Sequence, residues 1–280
     1  MTILNLVGCT PQTGDVGVEI ELEADNLPHA DIVPRQWKRE NDASLRGESG
    51  EFVLRKPVSL SQLDKAFSDL QACFDAEGTR VRDTYRAGIH VHVNVQDLTP
   101  IQLVSFICSY FMLEEVLLRY CDKSRLGNHF CLRMSDASYL LDKIVDFIQQ
   151  EDLRQLDTDD LRYASLNVTS LFKYGSIEFR ALESTLDFDK IKTWAGVLVH
   201  LRDYAKTLRS PVDLLGNASA LGFEAYAPVI LGRWYRTFQP WATETNIRTG
   251  VRNIQYAIYS RNWESSSLNI FKAKNLFSPS

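Results

Sequence analysis

The sequence lacks the motifs by which many enzymes hold a nucleotide or activate a nucleophile. Its 280 residues contain no Gly-x-x-x-x-Gly-Lys phosphate loop, no Gly-x-Gly-x-x-Gly, no His-Glu-x-x-His and no Gly-x-Ser-x-Gly. These absences exclude a glycine loop at a helix start as the means of holding phosphates. If the protein binds a nucleotide, we expect metal ions on a sheet to hold it.

A long hydrophobic run and a surplus of basic residues are also missing. The longest apolar stretch, Ile101 to Leu113, is followed by Glu114 and Glu115 and predicts a buried helix, because it is too short to span a bilayer. The N-terminus carries no basic region typical of a signal peptide. Acidic residues outnumber basic ones, 36 to 31, which argues against general nucleic-acid binding. We therefore expect a cytoplasmic protein without a membrane partner.

Cysteine is scarce, and its five positions show no metal-knuckle or thioredoxin spacing. We expect reduced thiols that lie mostly in the core. The composition, 45% hydrophobic and 24% charged, is that of an ordinary folded protein.

Segments with alternating polarity are interspersed with segments of helical spacing, without a regular βαβ period. This pattern predicts an α+β fold in which helices pack on one face of a sheet. The polar stretch 25–50 is predicted to be a loop. Strands are predicted at 17–23, 51–55, 88–95, 165–169 and 176–182, and helices at 61–77, 100–121, 135–150 and 187–208.

The last part of the chain differs in composition from the rest. Residues 210–280 hold seven basic against four acidic residues, and 11 of the 30 aromatic residues. We therefore predict a main domain over 1–209 and a distinct segment over 210–280, with a boundary near Pro211. This segment is expected to act as a lid, a helical subdomain or an oligomer contact.

Three predicted strands each have an apolar face and an opposite face of ligand-type side chains. The opposite faces hold Glu19, Glu21 and Glu23; His90, His92 and Asn94; and Glu178 and Arg180, while Ile177, Phe179 and Ala181 share the apolar face of the third strand. A sheet with one solvated side explains amphipathic strands equally simply. Three glutamates in a row repel one another, however, and a divalent cation would turn that cost into binding. Carboxylates with imidazole favour Mg²⁺ or Mn²⁺ over zinc.

These strands belong to four sequence blocks: GVEIELE, NDASL with GEFVLRKPV, GIHVHVNV, and LNVTSLFKYGSIEFRALEST. Together, and in this order over 16–204, the blocks resemble the amidoligase family, which belongs with glutamine synthetase and glutamate–cysteine ligase among the carboxylate–amine ligases. The resemblance implies a curved, mainly antiparallel sheet like that of the glutamine synthetase catalytic domain. Helices would cover its convex face, and ATP and divalent metals would bind on its concave side.

The resemblance also implies roles for single residues. The metal ligands would be Glu19, Glu21, Glu51, His90 and Glu178. Arg180 would contact the transferring phosphate, and the nucleotide would also meet His90, His92, Lys173 and Asn167. Asp42 and Ser44 would shape the substrate cleft. By charge alone, Arg55 and Arg86 are candidates for contacts to phosphate or carboxylate, Arg55 on the substrate side and Arg86 with Glu51 in the catalytic group.

Several of these assignments have alternatives. Glu48 rivals Glu51, although no strand-like run follows it directly. Glu23 is expected to be solvated at the end of its strand. His92 could orient a ligand instead of being one, and Arg180 could be a structural ion-pair partner.

The resemblance implies an ATP- and Mg²⁺-dependent enzyme that joins a carboxylate to an amine through an acyl phosphate. A glutamine amidotransferase-like partner and a homo-oligomer are both compatible with it. Two other functions stay open: a metal-dependent phosphohydrolase or nuclease, and an amidoligase-like protein that has lost catalysis and binds a partner.

Overall fold

The computed structural model describes residues 1–136, 138–158 and 162–263, so part of the distinct C-terminal segment, 264–280, lies outside the described residues. The strands are β1 (Val16–Asp25), β2 (Trp37–Glu40), β3 (Ser49–Leu54), β4 (Arg80–Val81), β5 (Gly88–Asn94), β6 (Leu166–Asn167) and β7 (Ser176–Glu183). The helices are α1 (Ile3–Val7), α2 (Leu60–Glu77), α3 (Pro100–Leu117), α4 (Ser138–Gln150), α5 (Ser170–Tyr174), α6 (Phe188–Ala205), α7 (Val212–Leu221), α8 (Phe223–Leu231), α9 (Tyr235–Phe238) and α10 (Glu244–Tyr259).

The strands form one open sheet in the order β2-β3-β1-β5-β7-β6, and β4 pairs with the end of β1. Every pair of neighbouring strands is antiparallel. The prediction of a mixed α+β fold with an antiparallel sheet is therefore confirmed. Its closer classification as a glutamine synthetase-like sheet stays a prediction.

The apolar face of the sheet carries the core. Helices α2, α3 and α6 lie on this side, where the Phe106 and Tyr110 rings of α3 pack 5.7 and 4.9 Å from the ring of Phe179. Nearly every residue of α3 is buried, because α10 covers the side turned away from the sheet. The contact is close: a Cβ at Gly250 would lie 1.9 Å from the carbonyl oxygen of Met112.

Helix ends follow the sequence signals. Thr99 Oγ1 accepts a hydrogen bond from Gln102 N, Gln102 Oε1 accepts one from Thr99 N, and Pro100 occupies the first turn. Gly78 ends α2 in a left-handed conformation with φ 66°. The predicted start of α3 and stop of α2 are confirmed.

The predicted loop over 25–50 is wrong in part, because it contains β2. Trp37 anchors this short strand: its ring is 1% exposed, and its Nε1 donates to the carbonyl of Ala66 at 3.0 Å. The predicted strand at 165–169 shrinks to β6, and α5 replaces a simple turn before Gly175. Helix α3 ends at Leu117 and α4 begins at Ser138, so both are shorter than predicted.

Helix α3 is long and apolar enough to cross a membrane by length and composition, but 89% of it is buried inside the protein. It is thus explained as a core helix. The cytoplasmic location stays a prediction. All five cysteines are free thiols; Cys108, Cys121 and Cys131 are buried, whereas Cys9 and Cys73 are partly exposed.

Candidate functional site

The strand register brings the predicted polar residues together on the face of the sheet opposite the core. On neighbouring strands, Glu19 lies opposite His90, Glu21 opposite Glu51, and His92 opposite Glu178. Directly opposed residues of antiparallel strands place their side chains on the same face, so the three pairs share one surface.

A β-bulge in the pairing of β5 with β7 changes the alternation at this point. Phe179 lies opposite Val91, but Leu182 lies opposite Ile89, so β7 has one additional residue between these pairs. Leu182 therefore pairs opposite Ile89 in the place that strict alternation would give to Ala181, and both residues are buried in the core with Ile177 and Phe179. Arg180 sits within the bulge, next to His90.

His90 is the centre of the cluster. Its Nδ1 lies 3.3 Å from Glu19 Oε2 and 3.4 Å from Glu178 Oε1, and its Nε2 lies 3.5 Å from Glu21 Oε2. The imidazole is only 3% exposed. Three carboxylates thus surround one buried ring, an arrangement that a purely solvated strand face does not require.

A second group of ligand atoms comes from Glu19, His92 and Glu178, which offer one atom each within 4.8 Å of one another. His92 Nε2 is buried and lies 3.1 Å from Glu19 Oε1, but it has no hydrogen-bond partner of acceptable geometry among the described residues. The Nδ1 atom of the same ring lies 3.3 Å from Ser176 Oγ, which fixes the ring orientation. A buried nitrogen without a hydrogen bond, beside a carboxylate, fits a cation ligand.

The carboxyl groups of the site fall into two classes, according to whether their pKa is lowered or raised. Burial alone would raise the pKa of Glu19, but the imidazoles of His92 and His90 outweigh it and hold that pKa well below its usual value. Burial likewise opposes ionisation of Glu178, and Arg180 beside it lowers the pKa. By contrast, burial raises the pKa of Glu21, and burial with the nearby charges of Glu19 and Glu21 raises the pKa of Glu51 to about 8.

Arg180 and Asn167 hold Glu178 from two sides. Arg180 Nη1 pairs with Glu178 Oε1, and Asn167 Nδ2 donates to Glu178 Oε2 at 2.6 Å. The amide oxygen of Asn167 accepts from the backbone and side chain of Thr169, so both ends of this buried amide are used. Asn167 thus fixes the glutamate within the protein.

A second guanidinium supports the bulge. Arg125 is 1% exposed and donates to the carbonyls of Ala87 and Arg180, at 3.3 and 2.7 Å. This residue was missed in the sequence, since no pattern marks an arginine that binds backbone carbonyls. Arg86, a predicted catalytic candidate, forms no ion pair with a carboxylate of the described residues; its guanidinium stacks 5.2 Å from the ring centre of Tyr85 and 5.9 Å from that of Phe130.

Glu40 also belongs to this surface, although no sequence pattern marks it. It lies on β2 opposite Glu51, which is itself opposite Glu21, so three carboxylates form a row across three strands. Glu40 pairs with Lys38 at 2.7 Å. Residues Trp37–Glu40 are one apolar residue followed by three charged ones, so their sequence shows no alternation that would mark a strand.

Two further glutamates considered as candidates, Glu23 and Glu48, lie near the end of β1 and before β3. Glu23 is not solvated: it is 9% exposed, and its Oε1 accepts a hydrogen bond from Arg46 N at 2.8 Å. That expectation is wrong because the loop between β2 and β3 covers the end of β1. Glu48 precedes β3 and accepts from Leu27 N, whereas Glu51 lies in the carboxylate row.

The remaining candidates lie around the cluster. Asp42 adds negative charge near Glu21 and Glu51 and accepts from the backbone of Ser44 at 2.7 Å. Lys173 places its ammonium 4.7 Å from the ring centre of Tyr174.

Arg55 lines a cavity of about 580 Å³ that opens beside Glu19 and His92. The roles predicted for all these residues stay predictions, while their positions are as described.

Comparison with known proteins identifies the family. A family model described as "putative amidoligase enzyme" matches residues 56–201, just over half of the chain. No curated protein matches. A crystal structure of a bifunctional glutathione synthetase from Pasteurella multocida is 11% identical with a TM-score of 0.39, over 91% of this chain and 52% of that one. The chain thus spans about half of that structure, and so distant a likeness adds nothing to the assignment.

The matched range contains His90, His92, Glu178 and Arg180, while Glu19 precedes it and joins them through the pairing of β1 with β5. The resemblance seen in the sequence is confirmed: the chain belongs to the amidoligase family.

Proposed function

We propose that the protein is an ATP- and Mg²⁺-dependent ligase that joins a carboxylate to an amine. One observation carries the proposal: in a member of the amidoligase family, Glu19, His92 and Glu178 converge beside Arg180 on one face of the sheet. Carboxylates that would otherwise repel each other are held together there, next to a guanidinium suited to phosphoryl oxygens.

The donor set fits a divalent cation. Two carboxylates and the Nε2 of His92, which lacks a hydrogen bond among the described residues, are oxygen and nitrogen ligands of the kind that Mg²⁺ and Mn²⁺ accept. Glu21, Glu51 and Glu40 form a further carboxylate row beside them. Bound there, a cation would reduce the repulsion between a triphosphate and an incoming carboxylate.

The proposed reaction proceeds in two displacements. An oxygen of the substrate carboxylate attacks the γ-phosphorus of ATP, the bond to the ADP oxygen breaks, and an acyl phosphate forms. The amine then attacks the carbonyl carbon, phosphate leaves, and the amine loses a proton. Arg180, held by Glu178 and His90, would stabilise the charge on the transferring phosphoryl oxygens.

The acyl phosphate must be protected from water. The described helices of the distinct C-terminal segment pack against α3, α4 and α6, on the core side of the sheet and away from the site, so they do not form the lid that the sequence suggested. We retain an oligomer contact and a glutamine amidotransferase-like partner that delivers the amine as proposals about how the site is completed.

The test is ADP formation from ATP and Mg²⁺ in the presence of mixed amino acids and amines, with amide products followed by mass spectrometry. We expect Glu178→Gln to lower the rate at least about a hundredfold, because it leaves Arg180 and a bound cation without a charged partner. Glu77→Gln, at the exposed end of α2, is the matched control and should retain the parent rate. Equal rates for both variants would contradict the mechanism.

The two alternative functions give different results in the same assay. A phosphohydrolase or nuclease would release phosphate or cleave its substrate without any amine. A family member without catalysis would show neither heat nor a thermal shift on titration with Mg²⁺ and ATP.

A further inference from the structure

The cavity beside Glu19 and His92 has a defined wall and floor. Its floor is the polar face of β1 and β5 at Gly17, Glu19 and His92, and its volume of about 580 Å³ is in the range of small-molecule sites. The segment Thr10–Thr13 forms one side, and Val53 and Pro57 lie on the other. The cavity therefore combines a polar floor with partly apolar walls.

The segment Thr10–Thr13 is fixed by two buried or half-buried amides. Gln96 accepts from Gln12 N at 2.8 Å and donates to the carbonyl of Thr10 at 2.9 Å. Asn94 donates to the carbonyls of Gln12 and Gly14. This wall is thus tied to the end of β5, and the cavity is a preformed feature.

The far end of the cavity carries uncompensated positive charge. Arg55 uses its Nε to donate to the carbonyl of Trp37, and neither Arg55 nor Lys56 forms an ion pair with any carboxylate of the described ranges. Lys38 nearby is neutralised by Glu40. Two cationic groups therefore face the cavity without an anion, at the end away from the carboxylates of the floor.

Only some residues of the candidate site line the cavity. Glu19 and His92 line it, but His90, Glu178 and Arg180 do not. The carboxylate that attacks phosphorus must enter in line with the departing ADP oxygen. The cavity is an open space beside Glu19 and His92 through which a carboxylate could reach a phosphoryl group held at Arg180.

We infer that this cavity binds the carboxylate substrate and that the substrate carries a second anionic group at its far end. The inference rests on the proposed function. One carboxylate lies at the Glu19 and His92 end, an aliphatic segment passes between Val53 and Pro57, and the second anion is bound by Arg55 and Lys56. The substrate class is an aliphatic dicarboxylate, of which an acidic amino acid or an acidic peptide residue is an example.

The test uses the full chain with Mg²⁺ and a non-hydrolysable ATP analogue, titrated calorimetrically with glutarate, pimelate and hexanoate. We expect the preferred dicarboxylate to bind at least about tenfold more tightly than hexanoate, since a charge-assisted hydrogen bond is worth that ratio. The variant Arg55→Gln with Lys56→Gln should abolish this preference. Lys65→Gln, which removes an exposed charge on α2, should leave it unchanged.

The outcomes separate this inference from the proposed function. Equal binding of dicarboxylates and hexanoate, or a preference that survives in the double variant, overturns the inference. Weaker binding of the ATP analogue by the double variant also overturns it, because the cavity would then hold the nucleotide, and the ligase proposal would stand. A third outcome is possible: the protein binds dicarboxylates through Arg55 and Lys56 but binds no nucleotide. That result supports the inference about the cavity and contradicts the proposed ligase function.

Discussion

At the residue scale, the candidate site depends on side chains that hold other side chains. Asn167 connects Glu178 to Thr169, and His92 is oriented by Ser176. Such supporting contacts commonly govern metal affinity as strongly as a ligand does, because they fix the direction of the ligand atoms.

Asn167→Ala tests this dependence. We expect its affinity for Mn²⁺ to fall by about 10- to 100-fold, because Glu178 loses the amide that holds Oε2. Asn246→Ala is the matched control: it also removes an amide bonded within the protein, to the carbonyl of Trp241, but far from the cluster. The measurement is Mn²⁺ titration followed by electron paramagnetic resonance. Equal affinities in the two variants would show that Asn167 does not position a ligand.

Much of the cluster could be predicted from sequence, because strict alternation along β1, β5 and β7 assigns Glu19, His90 and Glu178 to one type of face. Glu40 could not be predicted, since β2 is too short to show a period. The bulge was also hidden, because a single additional residue leaves no trace in polarity. Arg125 acts on backbone carbonyls, a role without a sequence pattern.

At the element scale, the close contact between α3 and α10 depends on glycine at position 250, which has no side chain. Gly250 lies against the Met112 backbone, whereas a Cβ at Gly216 of α7 would meet no atom of the described residues within 4 Å. The two glycines are therefore predicted to respond in opposite ways to alanine.

We expect Gly250→Ala to lower the free energy of unfolding by about 1–3 kcal/mol, since the helices must separate to admit a methyl group. Gly216→Ala should raise it by about 0.5–1 kcal/mol through its better helix propensity. Urea denaturation of both variants measures the difference. A stabilising Gly250→Ala would mean that α10 does not approach α3 this closely.

Glu114 of α3 predicts a pH dependence of stability. It is 1% exposed and accepts hydrogen bonds from Ser165 Oγ and Met134 N, and burial raises its pKa to about 7. Between its unfolded pKa, near 4.5, and about 7 the folded protein therefore binds more protons than the unfolded chain. This stabilisation is complete below the unfolded pKa and is lost as the pH rises through 7.

Replacing Glu114 by Gln should remove this contribution. From pH 5 to 8, the parent should lose about 3 kcal/mol more of its unfolding free energy than Glu114→Gln. The difference between the two proteins is the quantity to measure, by urea denaturation at each pH, because Glu21 and Glu51 have raised pKa values in both. Parallel pH profiles would indicate that Glu114 is ionised in the folded protein.

The helices were easier to predict than the short strands for a physical reason. Ser59, Thr99, Pro100 and Gly78 are local signals whose effect on the backbone does not depend on the rest of the fold. Strand β6 and helix α5, by contrast, exist through their contacts with β7. Their sequences alone carry no comparable signal.

At the scale of the whole molecule, every candidate ligand lies within 1–209, and the boundary near Pro211 stays a prediction. The described helices beyond it nevertheless complete the cover of α3. Ending the chain after Arg209 would expose an apolar helix to water.

We therefore expect the fragment 1–209 to keep much of its far-ultraviolet circular dichroism but to lose a cooperative thermal transition. It should also bind an apolar dye that the full chain does not. Supplying 210–280 as a separate chain should restore part of the transition. A fragment that melts cooperatively at the temperature of the full chain would show that the main domain is independent.

The pairing of the strands also determines when the candidate site forms during folding. Glu19, His92 and Glu178 come from distant parts of the chain, and they meet only when β1, β5 and β7 have paired. Contacts between such distant segments form slowly, after the early steps of folding. A ligand that needs all three strands should thus leave the refolding rate almost unchanged and instead prolong the lifetime of the native state.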